Sequence, residues 1–374
     1  MRGATYNALG KPTAYPLGNG LTTTLKYYGI DYLVSGAPYR WYGLPYQIQT
    51  GSAQNQTNAV FDGLGNLTAG YDLVGNPEGI SYADNTGEEL TLAYNELNQL
   101  TSVSGNLSET IAYDQTNPGP YTTYNVGNIV SKGSVSYSYP LPGGTRPDTP
   151  LTTTTGGTYS YDANGNRTGD SSYTYAYDVE NHLTGIETDV APILSNAYDG
   201  DGVRVHQDGG TLGSPVTHFV GPWYEHDTLT GVATVYCPFN GVPVAMKEGS
   251  TLSYLHHDHL GSLVAATDTS GNELGWMRCN PFGERRLSGG TLPTNRLFTG
   301  QPRDLMDDRL YFFQSRYYDS TIGKFFQADT ASPHWANPQS LNPYAYALDN
   351  PMRLVDPSGH YSEHLINRMV HRCG

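Results

Sequence analysis

A short string recurs along the first two hundred residues, and it limits the possible folds more than any other feature. Phe61-Asp-Gly-Leu-Gly-Asn-Leu67 is echoed by Tyr71-Asp-Leu-Val-Gly-Asn-Pro77 and by Tyr161-Asp-Ala-Asn-Gly-Asn-Arg167. A second form lacks the glycine, as in Tyr94-Asn-Glu-Leu-Asn-Gln-Leu100 and Tyr177-Asp-Val-Glu-Asn-His-Leu183. Further Tyr-Asp or Tyr-Asn pairs stand at Tyr113-Asp114, Tyr124-Asn125 and Tyr198-Asp199, and Tyr6-Asn-Ala-Leu-Gly-Lys11 carries the register to the N-terminus. Self-similarity of this kind marks a repeat architecture, in which each unit packs on its neighbours.

The unit reads as strand, tight turn, strand. Residues before the pair alternate in character, as in Ser172-Tyr-Thr-Tyr-Ala-Tyr177 and Val135-Ser-Tyr-Ser-Tyr139, which is the period of a strand. The tyrosines then share one face, burying their rings while the hydroxyls reach water or backbone. Asp or Asn opens a turn because its side chain accepts a backbone N–H two residues on. Gly supplies a positive φ, and Asn tolerates the same region. Breaks are therefore expected around Gly65, Gly75, Gly127 and Gly165. Hairpins stacked this way make one long sheet that must curl, because twist accumulates and open edges invite aggregation.

Composition agrees. The 374 residues include 44 Gly, 24 Pro and 31 Tyr, with only 15% charged residues, a mixture that breaks helices and suits half-buried pleated surfaces. The expected fold is all-β, a spiralling antiparallel β-hairpin strip. A net charge of −15 argues against nucleic acid and anionic membrane surfaces as partners, since both select Lys/Arg clusters. No apolar run approaches the length of a membrane span, and no signal peptide follows Met1. Three cysteines without CxxC spacing support neither a disulfide framework nor a zinc site.

The C-terminal third carries longer strings. They are Tyr254-Leu-His-His-Asp-His-Leu-Gly-Ser262, Asn280-Pro-Phe-Gly-Glu284, Arg296-Leu-Phe-Thr-Gly-Gln301, Leu310-Tyr-Phe-Phe-Gln-Ser-Arg-Tyr-Tyr-Asp319, Asn342-Pro-Tyr-Ala-Tyr346 and Asn350-Pro-Met-Arg-Leu-Val-Asp-Pro-Ser-Gly359. Together with the Tyr-Asp repeats, they resemble the RHS/YD-repeat proteins, which include the C component of Tc toxin complexes and the teneurins. The resemblance implies a hollow β-shell closed by an RHS-associated core, which in many bacterial members encloses a C-terminal toxic domain. On this reading, residues 1–250 form the strip, 251–360 the core or cap, and 361–374 a tail too short to be an effector. The denser aromatic run over 296–325 is expected to fold back as a plug. The resemblance also implies a bacterial protein that is secreted or displayed at the cell surface.

Two candidate sites follow. His256, His257, Asp258 and His259 invite a metal reading, but strand alternation lets at most two of them converge, and a catalytic zinc needs three protein ligands. No metal or cofactor is expected. Asp356-Pro-Ser-Gly359 matches the motif at which toxin-bearing relatives cut themselves, and Asp329 stands where the family has an earlier Asp-Pro pair. The resemblance implies an aspartic-protease pair, Asp329 and Asp356, cutting after His360. Two carboxylates held together cannot both ionise easily, so one serves as acid and the other as base. This chain has Thr330 after Asp329, and His360 where relatives mostly have Leu. Asp356-Pro-Ser-Gly359 is equally a well-formed turn.

Three functions are therefore in play. The first is a structural shell segment that encloses or presents its own C-terminal effector or joins other shell components. The second is a single-turnover aspartyl autoprotease. The third is a cell-surface module that binds glycan or protein through its Tyr- and Asn-rich face.

Overall fold

The computed structural model describes residues 3–8, 10–27, 45–51, 54–57, 60–61, 67–82, 87–114, 127–140, 146–210, 214–304, 308–331 and 337–362. Among these there is no α-helix, and the pairing is antiparallel throughout. Strands follow one another in chain order. A 13-stranded sheet runs from Thr5–Tyr6 to Gly157–Thr158, and a 14-stranded sheet continues from Ser160–Tyr161 to Arg285–Gly290. Val60–Phe61 and Leu67–Ala69 form a separate hairpin.

Asp72 shows how each turn is made. Its Oδ1 accepts the N–H of Val74 at 2.9 Å and of Asn76 at 2.8 Å, and Asn76 Nδ2 donates to its Oδ2 at 2.6 Å. Gly75 between them takes φ +92°, a region costly to a residue with a Cβ. Asp162 repeats the pattern with Asn164 and Asn166. In the form without glycine, Asn95 holds Leu97 and Gln99, Asp178 holds Glu180 and His182, and Asn98 and Asn181 take the positive φ. The same closure recurs at Asn7–Lys11, Asp199–Val203, Asp258–Ser262 and Asp268–Asn272. Asp114 closes on Asn128, 14 positions away, with Gly127 at φ +71°. Gly65 and the Tyr124-Asn125 pair lie outside the described residues.

The hairpins opened by Asn95, Asp162, Asp178 and Asp199, among others, slip their register at the same point. Tyr94 faces Leu100 but Ala93 faces Ser102; Tyr177 faces Leu183 but Ala176 faces Gly185; Tyr198 faces Arg204 but Ala197 faces His206. The second residue after each turn is thus a bulge, which bends its strand and adds right-handed twist. A bulge also disrupts the ladder, and buried backbone groups need partners. Tyrosine provides one. The hydroxyl of Tyr94 donates to Pro77 O at 2.8 Å, Tyr113 to Leu100 O at 2.8 Å, Tyr139 to Ile129 O at 2.8 Å, Tyr177 to Arg167 O at 2.7 Å and Tyr198 to Leu183 O at 2.9 Å. In each case the acceptor is the residue directly after the preceding turn.

The curl brings the two sheets together. Leu17 shares a small core with Ala245 and Tyr254, Asn19 Nδ2 donates to Thr267 Oγ1 and Asp268 O at 3.1 Å each, and Arg286 forms a bidentate pair with Glu88. The strip does not stop at residue 250, where the sequence reading divided the chain. Val242–Glu248 pairs with Thr251–His257 without interruption, and regular hairpins continue to Gly290. The reason is chemical: Asp258, Asp268 and Asn280 each open another turn of the repeat, closing with Gly261, Gly271 and Gly283 at positive φ.

Beyond Gly290 the rhythm ends and the chain folds back between the sheets. Leu310–Phe312, Tyr317–Asp319 and Lys324–Phe325 make a small separate sheet. Tyr311, Phe313, Tyr318 and Tyr346 are fully buried against Met246, Leu255, Leu263 and Met277 of the second sheet. Met352 and Val355 join Leu92, Leu100 and Ile129 of the first. The rings meet edge to face, with Phe313–Phe325 at 5.6 Å and Tyr318–Phe325 at 5.5 Å, contacts worth about 0.5–1.5 kcal/mol each beyond burial.

Two substitutions separate the turn from the tyrosine cap. Tyr177→Phe is expected to lower the unfolding free energy by about 0.5–1.5 kcal/mol through loss of one hydrogen bond. Gly165→Ala should cost more, because φ is +89° and its Cβ would stand 2.4 Å from the Tyr344 hydroxyl. Urea unfolding of both variants at equal slope checks the order.

Candidate functional site

The Asp356-Pro-Ser-Gly359 segment adopts the repeat's own turn chemistry at the end of the plug. Asp356 Oδ1 accepts the N–H of His360 at 2.9 Å, and Gly359 takes φ +77°. The carboxylate reaches one residue further, accepting the N–H of Tyr361 at 3.1 Å. The amide nitrogen of the His360–Tyr361 bond, where the sequence reading places the cut, therefore rests on Asp356.

Asp329 follows the strand Lys324–Phe325. Its N–H donates to Pro343 O at 3.0 Å, and its Oδ1 accepts from Ala331 N at 2.8 Å. The same Oδ1 lies 2.9 Å from His360 Nδ1. The fold thus brings Asp329, Asp356 and His360 together, and it adds a member that sequence reasoning missed. Arg316 Nη2 stands 2.9 Å from Asp329 Oδ2 and 3.4 Å from Asp356 Oδ2. Its Nη1 donates to Pro343 O at 2.8 Å, its Nε donates to Gly359 O, and its guanidinium stacks 3.7 Å from the centre of the Phe325 ring. One buried guanidinium bridges both carboxylates. Burial holds the Asp356 carboxyl above its ordinary range, and Arg316 works against that rise. The signal for Arg316 was present in Gln314-Ser-Arg-Tyr317, a lone cation inside the densest aromatic run, where an unpaired charge would be untenable.

The turn is pinned from outside as well. Gln314 Nε2 and Gln301 Nε2 donate to Pro357 O at 2.8 and 3.1 Å, and Ser315 Oγ donates to Ser358 O at 2.8 Å. Chemically, the arrangement holds one peptide bond in fixed register against two carboxyl groups and a guanidinium.

The histidine cluster is spread over a strand end and a turn. His256 Nε2 meets Thr267 Oγ1 at 2.9 Å, and burial lowers its pKa to about 4. His259 sits in the turn, with Nδ1 2.7 Å from Gln56 Nε2 and Nε2 3.0 Å from Met352 O. Asp258 is the turn-opening carboxylate described above. Among the described residues no group of three or more His, Cys, Asp or Glu side chains is placed to hold a metal ion.

No protein-family model matches the chain. The solved structure of TcdB2-TccC3-Cdc42 superposes with a TM-score of 0.69 at 17% identity, covering 99% of this chain and 20% of that one. A Tc holotoxin pore of Photorhabdus luminescens gives 0.65 at 17%, covering 96% and 19%. This is the RHS/YD-repeat shell fold. By sequence, this chain is 27% identical over 286 residues to the tRNA3(Ser)-specific nuclease WapA of Bacillus spizizenii and 26% identical over 286 residues to the tRNA nuclease WapA of Bacillus subtilis. Each match takes in 73% of this chain and 12% of the relative's length. Salivary gland surface protein 1 of Aedes aegypti is 32% identical over 126 residues, 33% of this chain.

Arg316→Met should destabilise the fold by about 3–5 kcal/mol at neutral pH, because two carboxylates lose their shared counter-charge. The loss should shrink on acidification. Asp356 has a folded pKa raised above 3.8, so its protonated form is the one the fold favours, present below that value and lost as pH rises. Urea unfolding at neutral and acid pH reads the difference.

Proposed function

We propose that this chain is a wall-and-plug segment of an RHS/YD-repeat container that encloses or presents a C-terminal effector. The observation that carries the reading is the plug, an aromatic core inserted between two curled sheets, which delivers the chain end to one fixed exit at Gly359. The WapA relatives are nucleases by name, and a container suits a chain whose own surface offers few charged groups. Between the strip and the plug lies an open cavity of about 790 Å³ with a mixed lining, Leu194, Tyr236 and Met246 beside Gln207, Glu248 and Asn295, room of the kind a container needs. Delivery of such an effector implies export to the cell surface or beyond. A reporter domain fused after Gly374 tests the reading. Slower proteolysis of the reporter in the fusion than in free form is expected, and equal rates would sink the container.

A second reading has its own observation. Asp356 touches the amide nitrogen of His360–Tyr361, and Asp329 lies across the same guanidinium. In this reading a protonated Asp356 delivers its proton to the departing Tyr361 nitrogen while Asp329 takes one from the attacking water. Mass spectrometry of the incubated chain would show a product ending at His360, absent in Asp356→Asn and in Asp329→Asn and fading at high pH, when the shared proton is gone. Cleavage that persists in either variant removes the two-aspartate mechanism.

A further inference from the structure

Lys324 is an unusual place for a cation. Its side chain is 1% exposed, its Nζ donates to Asn128 Oδ1 at 3.1 Å, and the Tyr139 ring centre lies 5.5 Å away. The same Asn128 oxygen accepts a second N–H, from Asn342 Nδ2, at 3.1 Å. Asn128 is itself 1% exposed. The carboxylates acting on Lys324 are Asp349, Asp148 and Asp114, with Asp349 foremost. Gln99 Nε2 holds Asp349 Oδ2 at 3.0 Å.

We propose that Lys324 and Asn128 form an intramolecular isopeptide cross-link, a covalent staple between the plug and the strip. Three conditions for amide exchange meet at this spot. The nucleophile must be a free amine, and burial lowers the Lys324 pKa. The carbonyl must be polarised, and Asn342 Nδ2 is placed to hold the negative charge that develops on Asn128 Oδ1. A neutral acid must move a proton in the absence of water, and burial pushes Asp349 up to about 7, so that it can exist as the carboxylic acid.

The step balances without any outside reagent. Lys324 Nζ bonds to Asn128 Cγ, the Cγ–Nδ2 bond breaks, and one Nζ proton passes by way of Asp349 to the leaving nitrogen, which departs as ammonia. The backbone closure of the turn, Asn128 N–H to Asp114 Oδ1 and Asp114 N–H to Asn128 O at 2.8 Å each, is kept, while the exchange gives up the bonds that the Asn128 side chain makes to Asp114 and to Pro147 O. The link would join positions 196 residues apart, one in the strip and one in the plug.

Intact-mass spectrometry of the purified, denatured wild-type chain decides the matter. The expected mass is below that of the sequence by one ammonia, and proteolysis should release a branched peptide joining the Lys324 and Asn128 segments. Lys324→Arg should return the chain to its sequence mass, whereas succinimide formation elsewhere would survive that change. Asp349→Asn should leave the link unformed or slow to form. A wild-type mass equal to that of the sequence overturns the proposal, as does a loss that persists in Lys324→Arg.

Discussion

The carbonyl that follows each turn is the point on which this architecture depends. A bulge one residue further on interrupts the ladder there, and at Pro77, Leu100, Ile129, Arg167 and Leu183 a tyrosine hydroxyl from the next hairpin takes the carbonyl up. The bulge gives each hairpin its bend, and the tyrosine makes the bend tolerable by satisfying the group it exposes. Because the donor comes from the next unit, the hairpins ending at Pro77, Leu100, Ile129, Arg167 and Leu183 are each locked to their successor through a side chain as well as through the ladder. Curvature is thus a property of the repeat, and the closing of the sheets on one another follows from repeating it.

The turns have a second use, visible only once the plug is in place. Several of their residues, at or next to the closing position, hold it. Asn76 Oδ1 accepts from Asn350 Nδ2 at 2.7 Å, Gln99 bonds Asp349, Asn128 bonds Lys324 and Asn342, and the Gly165 carbonyl accepts the Tyr344 hydroxyl at 2.8 Å. Further along, Arg167 pairs with Asp319 at 3.0 Å and Arg204 bonds the Tyr317 hydroxyl at 3.0 Å. The plug therefore reads the strip one repeat at a time, and its aromatic core fills the space that these polar contacts frame. The Arg316 cluster stands at the far end of that path, where the chain leaves the plug.

Much of this was legible in the residues. The Tyr-Asp pairs marked the hairpins, the glycines marked the positive φ, and the loss of the Tyr-Asp-x-x-Gly-Asn rhythm over residues 296–325 marked the plug. Asp329 and Asp356 were named from their motifs, and the fold brings them to one guanidinium. The rest was hidden for physical reasons. A bulge has no residue signature, because any side chain can occupy the unpaired position. The boundary drawn at residue 250 gave way because the strings around Asp258, Asp268 and Asn280 look specialised yet still close ordinary repeat turns. Arg316 is a partner across 40 residues from Asp356, and such pairing is set by the path of the plug, not by any local pattern.

The turn that Asp114 closes on Asn128 has a consequence for how such chains change. Its two closing bonds span 13 intervening residues and still leave Ala112 opposite Ser131 and Tyr113 opposite Ile129. Sequence can therefore be inserted between opener and closer without slipping the strands on either side. A lineage gains room to lengthen these turns, one repeat at a time, while the wall beneath keeps its geometry.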